Sequence, residues 1–121
     1  MKTILLPLVI LLMASCTTPK SSASSAADAK PADGVYPPGI AELTAIRQQY
    51  DDVTLDWIKA GYSIYKEGAC TNCHQPKNIY MIDKAQWKST LDNMAERAHL
   101  LDTQKDAVYK YVLSIKAVHD K

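Results

Sequence analysis

Hydrophobic and polar positions divide the chain into three regimes. Residues 4–13 are almost continuously apolar, broken only by Pro7. Residues 17–39 are rich in Ser, Ala, Pro and Gly, with Val35 and Tyr36 almost alone as bulky side chains. From residue 40 onward the apolar positions recur at helical spacing. Ile40, Leu43, Ile46 and Tyr50 predict a short amphipathic helix, or a strap lying on the domain. Thr54 can cap a helix whose stripe is Trp57, Ile58, Gly61, Tyr62 and Tyr65. Another starts after Asp83, with Trp87, Leu91, Met94, Ala95 and Ala98 on one face. The last begins at Thr103, with Asp106 as its capping-box partner, and buries Ala107, Val108, Tyr111, Val112, Ile115 and Val118. No alternating strand pattern, internal repeat or glycine-rich phosphate loop appears, so the expectation is an all-α fold of three to four helices.

Charge changes little in this picture. Lys plus Arg number 14 and Asp plus Glu 13, so the net charge of +1 gives no electrostatic case for nucleic acid. The first segment changes more. Lys2 followed by the apolar run reads as a signal peptide over residues 1–15, and the run is too short for a spanning helix, which needs roughly 20 residues. Met13-Ala14-Ser15-Cys16 resembles the lipobox of bacterial lipoproteins, with Met13 where Leu is usual. That resemblance implies lipid on Cys16 and, with Thr17 rather than Asp next, an outer-membrane anchor facing the periplasm. Ordinary cleavage leaving a free thiol is the alternative. Residues 16–39 then form a lipidated, flexible tether with a reach on the order of 25 Å. Residues 40–121 form the domain, with its core in residues 54–121. A core of that size is marginal for helices alone, and something else should fill its centre.

The chemistry lies in Cys70-Thr71-Asn72-Cys73-His74, a C-x-x-C-H motif of the kind that attaches haem c. On one turn of chain, two thiols can reach the two vinyl groups of a porphyrin while the adjacent imidazole meets the iron. Zinc would need a fourth ligand that the spacing does not supply. A thioredoxin-like pair needs a βαβ setting. A disulfide from Cys70 to Cys73 would close a loop of only a few residues.

With Gly61-Tyr62-Ser63-Ile64-Tyr65 ahead of this motif, residues 54–121 resemble the class I c-type cytochrome family. The departures are Gln75, where many members have Gly, and a short stretch after the motif. The resemblance implies one covalent haem c held by Cys70 and Cys73, with His74 as proximal iron ligand. It also implies a crossing of the first and last helices at Gly61, with Tyr109, Tyr111 or Val112 opposite. Met and His are the usual sixth ligands. Met94 shares a stripe with Trp87 and Leu91 and is the first choice. A tryptophan seven residues before a methionine also looks like a pattern of small bacterial haem c domains. Met81 is second, and His99 or an open position third; His99 reads more simply as a helix-end residue and His119 as a solvated terminal one.

The function expected is single-electron carriage between redox proteins at a bacterial membrane surface. No constellation of nucleophile, acid and base points to an enzyme. The alternatives are a haem c sensor with an open or weakly held sixth position, and a lipoprotein without haem. Lys66, Lys77, Lys84 and Lys88 flank the expected haem region; they either steer an acidic partner or are merely solvated.

Overall fold

A computed structural model describes residues 29–121. The expected signal peptide, residues 1–15, and the expected lipidation site Cys16 lie outside the described residues. Four helices follow one another: α1 Ile40–Ile46, α2 Leu55–Glu67, α3 Lys84–Arg97 and α4 Asp102–His119, with a 3-10 turn Ala69–Asn72 after α2. Among the described residues there is no strand, and no helix is long and apolar enough to cross a membrane. The domain is all-α.

Local chemistry explains where the helices start and stop. Thr54 Oγ1 accepts a hydrogen bond from the Trp57 N–H at 3.2 Å, closing one of the orphan donors of α2. The last helix starts at Asp102, one residue earlier than expected. Gln104 then sits where its side chain reaches back to accept from the Leu101 N–H at 2.9 Å. Asp106 is thereby released from capping; it accepts from Trp57 Nε1 at 3.0 Å and pairs with Lys110. Trp57 is accordingly half-buried at the edge of the stripe rather than within it. At the end of α3, His99 takes a left-handed conformation (φ 53°) while Leu100 N–H bonds back to the Ala95 carbonyl at 3.0 Å, a closure that satisfies a trailing carbonyl.

The centre of the molecule is the crossing of α2 and α4. A Cβ on Gly61 would lie 2.1 Å from the Ala107 carbonyl oxygen, so only glycine permits this approach. Around it the Tyr111 ring stands 5.5 Å from that of Tyr62 and 5.9 Å from that of Tyr65, edge-on and tilted. Of the three residues that could face Gly61, Tyr111 is thus the aromatic that locks the crossing. Ile58, Trp87, Val108, Val112 and Ile115 complete a core that excludes solvent.

The tether ends sooner than expected. By residue 33 the chain is bound to the core: the Asp33 carbonyl accepts from the Ile79 N–H at 2.6 Å, and the Tyr36 carbonyl accepts from the Tyr111 hydroxyl at 3.0 Å. Val35 is 6% exposed. Composition alone misses this because two bulky residues suffice when the helices leave a side for them and the backbone polar groups find partners. Gly34 (φ 73°) lies against the Tyr80 ring, which a Cβ would meet at 2.9 Å.

Residues 40–53 belong to the same core through Ala45, Ile46 and Val53. The expected stripe of α1 is shifted, for Ile40 is 68% exposed whereas Glu42 is 4% exposed. The Glu42 carboxylate accepts from Lys30 Nζ at 2.7 Å, the Tyr36 hydroxyl at 2.9 Å and the Gly39 N–H at 2.9 Å. Burial would raise its pKa, but these donors together hold it below the usual carboxylate range. Burial likewise pushes the Tyr36 hydroxyl up to about 12. The strap and α1 are fastened by one shared charge.

Candidate functional site

The motif sits where α2 gives out. Gly68 ends the helix so close to the Ile64 backbone that a Cβ would meet Ile64 Cα at 2.9 Å. Both the N–H and the hydroxyl of Thr71 then bond back to the Gly68 carbonyl, at 3.1 and 2.9 Å, winding residues 69–72 into a tight turn. That turn holds Cys70 half-buried against the core and leaves Cys73 and His74 exposed. Neither cysteine is bridged. Burial pushes the Cys70 thiol above its ordinary pKa.

His74 Nδ1 lies 2.6 Å from the Gln75 carbonyl oxygen. A carbonyl can only accept, so that contact places a proton on Nδ1, and in the neutral ring the lone pair is then on Nε2. The chain beyond is pinned from below. The Tyr65 hydroxyl, its pKa raised by burial, donates to the Lys77 carbonyl at 2.7 Å. Asn78 Oδ1 accepts from the Tyr80 and Met81 N–H groups, and Trp87 Nε1 donates to the Ile79 carbonyl at 3.3 Å.

Between this segment and α3 lies a cleft of about 330 Å³. One wall is Ala69, Cys70, Cys73, His74 and Lys77; the other is Asn93, Met94, Arg97 and Ala98 of α3. Both thiols, the imidazole and the Met94 thioether therefore share one cavity. Met81 does not line it and is 81% exposed. His99 lies past the end of α3 and does not line it either, while the His119 ring stacks on Tyr80 at 3.7 Å rather than standing free. Larger hollows exist, one of about 530 Å³ under the strap and one of about 370 Å³ between α3 and α4, but neither holds a motif residue. Among the described residues no three His, Cys, Asp or Glu side chains converge as a metal-binding group.

Of the four flanking lysines, only Lys77 lines the cleft. Lys84 donates to Gln49, Lys88 pairs with Asp92, and Lys66 lies over the Tyr62 ring. Arg97 escaped the sequence reading, although it lies about one turn beyond Met94 on α3; Ala98 was expected on that face, and Asn93 lines the cleft from the position next to Met94. Comparison with protein-family models, curated proteins and solved structures finds no match to this chain.

Proposed function

We propose that this chain is a monohaem c-type cytochrome that carries single electrons between redox proteins at a bacterial membrane surface, tethered there through lipid on Cys16. The observation that carries the reading is the single cleft joining Cys70, Cys73 and His74 to Met94. Cys70 and Cys73 would hold the haem through thioether bonds to its two vinyl groups. The bound group supplies one-electron iron chemistry. His74 would offer Nε2 to the iron, its ring set by the Gln75 carbonyl. Met94 offers a thioether from the opposite wall, and a Met ligand raises the potential relative to a second His. Trp87, Leu91 and Ala95 anchor the helix behind Met94 in the core.

Production of the full chain with a cytochrome maturation system tests this. The reading expects the added mass of one haem, a low-spin spectrum and the weak far-red band of Met sulfur on ferric iron, the band being lost in Met94→Ala. A high-spin spectrum with rapid CO binding that Met94→Ala leaves unaltered would instead assign a ligand-binding module. Absence of haem mass would end both readings.

A further inference from the structure

We propose that Arg97 of α3 and Lys77 of the facing loop bind the two carboxylates of the porphyrin, one each, and thereby raise the potential of the iron. This rests on the haem reading above. The cleft is lined by two cations, one from each wall, and by no Asp or Glu. Neither cation forms an ion pair among the described residues. The neighbouring groove between α3 and α4 is the contrast: its Lys88 and Lys105 are neutralised by Asp92 and Asp102. A concave site with unpaired positive charge on both sides suits a dianion, and a guanidinium can grip a carboxylate with two parallel bonds.

Both positions are held in place. The backbone at Lys77 is fixed by the Tyr65 hydroxyl. Arg97 lies in the last turn of α3, three residues and about 4.5 Å of helix rise beyond Met94. A side chain of its length can therefore extend past the iron ligand to the porphyrin edge. Asn93, one turn before Arg97 and on the same wall, adds a neutral amide beside it. Cations at the carboxylates favour the state with the extra electron, so removing one lowers the potential.

The test is the midpoint potential of the matured full chain carrying Arg97→Gln, Arg97→Lys, Lys77→Gln or Lys88→Gln. Arg97→Gln is expected to shift the ferric/ferrous equilibrium about tenfold toward ferric, which is 59 mV for one electron. Lys77→Gln should shift it in the same direction by less, Arg97→Lys should recover most of the loss, and Lys88→Gln should leave the potential unchanged. A structural role for Arg97 would not be rescued by charge alone. Covalent haem with a wild-type potential in either Gln variant of the cleft, or a shift no larger than that of Lys88→Gln, overturns the two-point clamp and leaves the cytochrome reading intact. Absence of covalent haem in the parent overturns both. Should Arg97→Gln fail to mature, Arg97→Lys at parental potential together with a lowered Lys77→Gln supports the clamp, and any other pairing of those two results overturns it.

Discussion

Two regions that share helix α2 are built on opposite terms. At Gly61 and Tyr65 the helix lies against α4 with no space left, and Tyr111 opposite is fully enclosed. A few residues later, Cys73 and His74 stand in solvent, and Cys70 and Met94 are only half-covered. The first region carries the stability and the second the reactive groups. On the haem reading proposed above, such a division is physically economical: a thiol, an imidazole and a thioether that would meet a large planar group need an open cavity, and a rigid frame beside it keeps their spacing.

The contrast can be broken most severely at Trp87. This residue is wholly buried, meets the Tyr65 ring edge-on at 6.2 Å and bonds to the Ile79 carbonyl, tying the floor of the cleft to its α3 wall. Trp87→Ala is expected to cost about 3–5 kcal/mol in denaturant titration of the matured protein and to broaden its haem spectrum. Next comes Gly61→Ala. One methyl group against the Ala107 carbonyl should cost about 1–3 kcal/mol, whereas Ser63→Ala, on the exposed face of the same helix, should stay within about 0.5 kcal/mol. Equal effects at both positions would dissolve the contrast.

An effect of comparable size belongs to residues 30–39, the strap that packs beside α1. Glu42→Gln removes a buried carboxylate that accepts three hydrogen bonds, and about 1.5–3 kcal/mol should be lost near neutral pH. Because folding lowers the Glu42 pKa, that contribution is fully present above the ordinary carboxylate range. It disappears as pH falls through that range to the folded value. The stability difference between the two proteins, measured across acid pH, should therefore shrink toward zero; a gap that grows on acidification sinks this account. The smallest effect should be a gain: His99→Gly relieves a left-handed residue and is expected to add about 0.5–1 kcal/mol, read from the same titration.

Legibility from sequence followed the same division. The Thr54 cap, the start of α3 after Asp83 and the glycine crossing at Gly61 were readable because each depends on residues within a few turns or on one steric demand. The C-x-x-C-H motif was readable because its spacing is itself the chemistry. Glu42 was not, since an acidic residue on a short helix ordinarily faces water; only Lys30, Tyr36 and Gly39, converging on it, make burial tolerable. The strap was hidden for a related reason, as the Tyr36 carbonyl finds its donor in Tyr111, 75 residues away.

By itself, then, the amino-acid order determined the helical character of the domain and the close set of Cys70, Cys73 and His74, because helix periodicity and motif spacing are local properties of the chain. Tertiary structure decided that Met94 rather than Met81 shares their cleft, that Tyr111 rather than Tyr109 or Val112 meets Gly61, and that Lys77 and Arg97 both line that cleft. Those relations arise only when α3 and α4 fold back over α2, and the docking of Trp87 and Tyr111 into one core is what fixes that return.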